Sequence, residues 1–177
     1  MRKTNLGLAS DRYRRLLSVF RELGKKVDLS SLGSRVIFQK TVYFLQEFGI
    51  EFGYDFGWYV LGPYSTGLAR DAFEIDAVQQ ALASIEGFLN RSGEASAETK
   101  DFFKEVDEIS SGTKTADYWL ELLSSLHFIR NKATPKAESK HQAVERLLAL
   151  KPGRFDRDDI ETAWGLLNKY ELVADAS

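Results

Sequence analysis

Apolar residues recur at helical spacing through most of the chain. Between Ser10 and Gly24, the residues Tyr13, Leu16, Leu17, Phe20 and Leu23 fall on one side of a 3.6-residue period, with Arg14, Arg21 and Glu22 opposite. Ser10 is placed to cap the start of this helix and Gly24 to close its end. The turn-rich stretch VDLSSLGS follows. A second helix is predicted from near Ser34 to just before Gly49. Val36, Ile37, Phe38, Val42, Phe44, Leu45 and Phe48 leave it a narrow polar strip of Gln39, Tyr43 and Gln46, with Lys40 and Glu47 beside it. Such a helix is expected to be central and packed on several sides.

The helical period then breaks. GIEFGYDFGWYVLGPYSTG alternates aromatic and β-branched residues with glycines. FGWYVLG reads as a strand, paired with a short partner around Ile50–Tyr54 and ended by Gly62-Pro63. Alternation puts Phe56, Trp58 and Val60 on one face, and Gly57, Tyr59 and Leu61 on the other. Ser65 can cap a helix through about Phe73 that contains Arg70. A separate helix is expected over Asp76–Leu89, with Val78, Leu82, Ile85 and Leu89 in register.

Four more helices are predicted after the loop NRSGEAS, in SAETKDFFKEVDEIS, TADYWLELLSSLHFIRNK, SKHQAVERLLAL and DRDDIETAWGLLNKYELV. The second of these reads as amphipathic through Tyr118, Trp119, Leu122, Leu123, Leu126 and Ile129. The last buries Ile160, Ala163, Trp164, Leu167 and Tyr170 behind an Asp156 N-cap with Asp159 at N3. The expected fold is mainly α, a compact multi-helix domain with one small β-hairpin. It forms a single domain over residues 1–177, with a helical core of about 10–172 and flexible termini.

Composition narrows the chemistry. The 177 residues contain no cysteine, which excludes disulfides, thiolate metal sites and Cys nucleophiles. The two histidines, His127 and His141, lie on different predicted helices, and His127 is expected to be a hydrogen-bonded structural residue. No cofactor or metal is implied. The basic N-terminus lacks the apolar run of a secretory signal, and no window approaches the ~18 apolar residues of a membrane span. A cytoplasmic location and no membrane partner are the expectations.

The net charge of −2 conceals an asymmetry. Residues 1–26 hold eight basic and two acidic residues, so this segment carries +6 and the rest −8. A basic first helix could meet nucleic acid or an acidic partner, with Arg15, Lys25 and Lys26 as its contacts, or simply present a solvated face.

Known catalytic patterns are missing. There is no P-loop lysine, the spacing of Gly49, Gly53 and Gly57 is not that of a dinucleotide fold, and Ser65 lies outside any nucleophile elbow. The paired carboxylates Asp107/Glu108 and Asp158/Asp159/Glu161 fall on exposed helix faces or first turns. Two places remain. One is the Gly62-Pro63-Tyr64-Ser65 turn, where a helix start could hold an anion with help from Lys40 or Arg70, or where Ser65 simply caps. The other is the run Tyr54, Phe56, Trp58, Tyr59 and Tyr64, one face of which could form a contact patch for a protein partner. Base stacking is disfavoured there, because Glu51 and Asp55 are acidic and no basic residue precedes Arg70.

FQKTVYFLQEFG followed by FGWYVLGPYSTGLARD resembles the helix–hairpin–helix core of the YwgA-like family of uncharacterised prokaryotic proteins, and SLHFIRNK with ERLLALKPGRFDRDDIETAWGLLNKYELV resembles that family's closing helices. This likeness spans roughly residues 10–172. Residues 35–72 are also similar to the Panacea (SocA-like) antitoxin domains. The resemblance implies a mostly helical domain with a small hairpin and no established enzymatic activity. By position, Gln39, Lys40 and Tyr43 match the helix motif, and Gly62, Pro63, Tyr64 and Ser65 the turn motif.

The leading expectation is therefore a non-enzymatic, antitoxin-like protein–protein interaction domain. Its partner would be another protein, toxin-like by the resemblance, bound through the hairpin and the groove beside the second helix. The candidate binding residues are Gln39, Lys40, Tyr43, Trp58, Tyr59, Gly62, Pro63, Tyr64, Ser65 and Arg70, with none catalytic. One alternative is a nucleic-acid-associated regulator using the basic N-terminal helix, with the last two helices joined by the short KPGRF connector in a helix-turn-helix-like arrangement. That reading is disfavoured by the acidic start of the last helix. Another is an anion- or nucleotide-handling enzyme at Lys40, Tyr64, Ser65 and Arg70. A homodimer through the hairpin aromatics is also open.

Overall fold

Seven helices and one two-stranded hairpin make up the described part of the chain. The computed structural model describes residues 2–83 and 93–174, with side chains from Asp11 onward. In chain order the elements are α1 (Arg2–Glu22), α2 (Leu32–Glu47), β1 (Gly57–Tyr59), β2 (Gly62–Tyr64), α3 (Thr66–Ala83), α4 (Ala97–Ile109), α5 (Ala116–Asn131), α6 (Lys140–Leu150) and α7 (Arg157–Lys169). The result is the expected mainly helical fold with a minor β part. One apolar cluster draws on every helix, from Tyr13 on α1 to Val173 beyond α7.

The predicted stripes pack inward. Tyr13, Leu16, Leu17 and Phe20 of α1 are buried, as are Ile160, Ala163, Trp164 and Leu167 of α7. α2 starts two residues earlier than Ser34. Ser31 Oγ accepts from the Ser34 amide at 3.0 Å, a cap that stabilises such a helix by about 1 kcal/mol.

Five expectations are corrected. α1 begins at Arg2 and runs through Ser10, which is therefore not its cap. Residues 50–54 do not form the partner strand. Gln46 occupies their backbone instead: its Oε1 accepts from the amides of Phe52 and Tyr54, and its Nε2 donates to the Tyr54 carbonyl. Gly62-Pro63 opens a strand rather than ending one, because the two residues Val60 and Leu61 reverse the chain. β1 and β2 are antiparallel, with Gly57 opposite Tyr64, Trp58 opposite Pro63 and Tyr59 opposite Gly62. Pro63 has no N–H for a further ladder, which suits a strand paired on one side only.

The two helices predicted over residues 66–89 are one continuous helix as far as Ala83. Leu68, Ala72, Ile75 and Leu82 line its buried face without a breaker between Phe73 and Asp76, while Ile85 and Leu89 lie outside the described residues. The fifth correction concerns α5. Every residue from Tyr118 to Ile129 is buried, so it is a fully enclosed central helix and not an amphipathic one. It packs against α2, α4, α6, α7 and β2. Asp156 has the N-cap backbone geometry of α7, but its side chain forms no cap bond and pairs with Lys114 at 3.1 Å.

Candidate functional site

The polar strip of α2 grips the hairpin. Gln39 and Ser65 form a reciprocal pair: Nε2 of Gln39 donates to the Ser65 carbonyl, and Oε1 accepts the Ser65 amide, both at 3.0 Å. Ser65 Oγ in turn accepts from the Leu68 amide at 3.2 Å and so caps α3. From the next residue, Lys40 Nζ donates to the Pro63 carbonyl. These bonds satisfy groups that burial would otherwise leave costly. Gln39, Lys40 and the segment Gly62–Ser65 are thus brought together.

Gly62 is required at its place. Its φ is +83°, and a Cβ there would lie 2.5 Å from Ser125 Oγ on α5. Only a residue without a side chain lets β2 lie this close to α5 in that conformation.

Beneath the hairpin lies a buried ionic group. Glu121 of α5 is 2% exposed, and its two oxygens take Lys151 Nζ at 2.6 Å and Arg154 at 2.8 Å. Lys151 also donates to the Val60 carbonyl at 2.8 Å. Among the described residues Lys40 has no carboxylate partner of its own. Burial pushes its amine down to about 7, with Lys151 adding to the effect and Glu121 opposing it. Sequence reasoning passed over Glu121, Ser125, Lys151 and Arg154. The available signal was a lone glutamate between Leu120 and Leu122 in an otherwise apolar run.

Tyr43 sits deeper. Its hydroxyl lies 2.6 Å from His127 Nδ1. Burial chiefly, and then Lys132, push His127 down to about 3. Glu47 lies 3.6 Å from Nε2 but is paired with Lys132 at 3.1 Å, so His127 is neutral and shares a single hydrogen bond with the Tyr43 hydroxyl at Nδ1. This is a structural histidine. Tyr43 is enclosed by Phe44, Phe56 and His127 and cannot meet a ligand.

The outer side of the same hairpin is different. A groove of about 560 Å³ lies between α2, the hairpin and α3. Its walls include Leu32, Val36, Tyr59, Val60, Tyr64 and Phe73, with Gln39, Lys40 and Gly62 also in the lining. Tyr59 and Tyr64 stack obliquely, with ring centroids 5.3 Å apart. Trp58 turns the other way, onto Phe128 and beneath Lys151 Nζ. Val60 is 72% exposed although alternation groups it with Trp58, because it occupies the turn and not the strand. Arg70 is exposed on α3 and does not line the groove.

The basic first segment is largely matched by the rest of the chain. Arg12 pairs with Asp71, Arg15 with Glu94 at 2.5 Å, and Lys25 with Asp107 at 2.7 Å. Lys151 and Arg154 of the KPGRF connector point inward to Glu121. Among the described residues no group of three or more His, Asp or Glu could hold a metal ion, and no helix is long and apolar enough to cross a membrane. Compared with protein-family models, with curated proteins and with solved structures, the chain matches none.

Proposed function

We propose that this chain is a protein-binding domain that docks an apolar segment of a partner in the groove between α2, the hairpin and α3. One observation carries this reading. Among the described residues, five large apolar side chains are well exposed, and four of them (Leu32, Tyr59, Val60 and Phe73) ring this single groove. Scattered apolar residues on a surface need no explanation, but a contiguous ring around a cleft is the form of an interaction site. Aromatic residues presented by a short turn suit the centre of an interface. The matched charges of the basic first segment favour a protein over nucleic acid, since Arg12, Arg15 and Lys25 already have carboxylate partners. The similarity of residues 35–72 to Panacea antitoxin domains adds a toxin-like protein as the class of partner.

Val60→Asp and Phe73→Asp test it. Both side chains are exposed, so the fold should tolerate the change to within about 0.5 kcal/mol. In affinity capture from the native cytoplasm, a protein held by the wild type and lost by both variants, with unchanged circular dichroism, is the expected result. Capture that both variants retain removes the groove from the interaction.

A further inference from the structure

The groove has a chemical bias that its apolar walls alone do not explain. Among the described residues its only charged lining side chains are Arg35 and Lys40, and no carboxylate lines it. Arg35 is at the exposed rim, where its Nε donates to the Ser31 carbonyl. Lys40 is deep, 2% exposed. An ammonium group has three donors. The Pro63 carbonyl takes one, and among the described residues no carboxylate lies within ion-pair distance of Lys40. The nearby Glu121 is held on both oxygens by Lys151 and Arg154. A buried ammonium with one carbonyl and no counter-ion is an incomplete arrangement. It stands against an apolar cleft that admits anions by charge and excludes cations.

We infer that the docked segment carries an acidic side chain among its apolar ones, and that its carboxylate takes Lys40 as counter-ion while its apolar residues fill the groove. This rests on the protein-binding reading above and specifies the partner's chemistry. The partner is an apolar segment of another protein with an aspartate or glutamate in its middle. A uniformly apolar peptide would leave Lys40 unmatched, and a basic one would be repelled by both cations. The bond is charge-assisted and shielded from water, which makes it specific. Burial holds the amine's proton weakly in the free chain, and an arriving carboxylate would fix it there.

The experiment is selection of a displayed library of random peptides on the full chain, with Val60→Asp as the groove-blocked control and Lys40→Met as the second target. The wild type should enrich apolar peptides containing Asp or Glu, Val60→Asp should lose them, and Lys40→Met should enrich apolar peptides without the acid. For one selected peptide, replacing its acid by the amide should weaken binding to the wild type by about tenfold or more and leave binding to Lys40→Met unchanged. The peptide-side exchange needs no variant of the protein, so it remains decisive if Lys40→Met folds poorly. Groove-dependent peptides with no acid preference overturn this inference and leave the docking site standing. Failure to enrich any peptide that Val60→Asp loses overturns both, as does a wild-type dimer that Val60→Asp disperses, which would give the groove to a second copy.

Discussion

Two lysines lie under the same hairpin in opposite circumstances. Lys151 reaches the Val60 carbonyl at the turn and the Glu121 carboxylate beside it. Lys40 reaches the Pro63 carbonyl on β2 and finds no carboxylate. Both are buried, at 8% and 2% exposed. Lys151 closes the underside of the hairpin toward α5 and α6, and its ionic group is complete within the chain. Lys40 belongs to the side that opens on the groove, and among the described residues no carboxylate pairs with it. The difference separates a cation that serves the fold from one available to a partner. Burial alone does not distinguish them; the counter-ion does.

The sharpest way to break the comparison is to take away the counter-ion. Glu121→Gln keeps the shape of the side chain and removes its charge. Lys151 would then stand in the position of Lys40, and Arg154 would lose its carboxylate. Removing one partner of a buried pair costs about 3–5 kcal/mol, because the remaining charge is left uncompensated. The urea midpoint should fall accordingly with an unchanged slope. A loss below about 1 kcal/mol would mean that water reaches this group and that the two lysines are alike.

The second test uses protons. Lys40 titrates at about 7 in the folded chain and near the ordinary lysine value of about 10.4 when unfolded. Between these values the unfolded chain binds the extra proton, so wild-type stability rises with pH through this window. Lys40→Met lacks that contribution. The wild type should therefore gain on the variant by about 1.4 kcal/mol per pH unit from roughly pH 7 to 10, and the difference should be flat below the window. The charged groups that face Lys40, Glu121 and Lys151 with Arg154 behind them, are present in both proteins and cancel in the difference. A difference that stays constant from pH 7 to 10 would show Lys40 to be an ordinary solvated amine.

What could be read from the chain divides along similar lines. The stripes of α1 and α7 were legible because burial repeats with the helical period, and that period is local. The small hairpin was legible as a break in the period, but its register was not. The residues that look most like the first strand, 50–54, have their backbone bonds taken by the Gln46 side chain, and no propensity reports that. The strip of Gln39, Lys40 and Tyr43 could be identified as polar on an apolar helix. The partners of Gln39 and Lys40 on the segment Gly62–Ser65 follow from the same need for satisfaction, while Tyr43 meets His127 instead. The group around Glu121 escaped because its members come from α5 and the connector after α6, and only packing joins them. The groove beside α2 was expected, but its apolar rim was not: Leu32, Val60 and Phe73 occupy ordinary apolar positions in sequence and become a ring only in three dimensions.

The smallest effects belong to α1 and the residues just after it, whose cations extend the contrast to the surface. Arg15 with Glu94 and Lys25 with Asp107 are matched pairs, as Lys151 with Glu121 is, but water competes for them. Their side chains are 43% and 17% exposed and those of their carboxylates 27% and 54%. Exposed pairs of this kind contribute about 0–1 kcal/mol and weaken with salt. Arg15→Ala and Lys25→Ala should each lower stability by no more than this, and the loss should shrink between low and high ionic strength. Arg12→Ala should lose more than either, because Arg12 pairs with Asp71 while its guanidinium lies 4.8 Å from the Tyr54 and 5.5 Å from the Tyr13 ring centroid, whereas Arg15 and Lys25 each face one ring, Phe52 at 5.3 Å and Phe103 at 5.8 Å. That stacking part should persist in salt. Melting temperatures of the three variants at two salt concentrations separate the contributions. If Arg15→Ala cost as much as Glu121→Gln, and did so at high salt, enclosure from water would not be what gives the charges under the hairpin their weight, and the case for an uncompensated Lys40 would lose its physical basis.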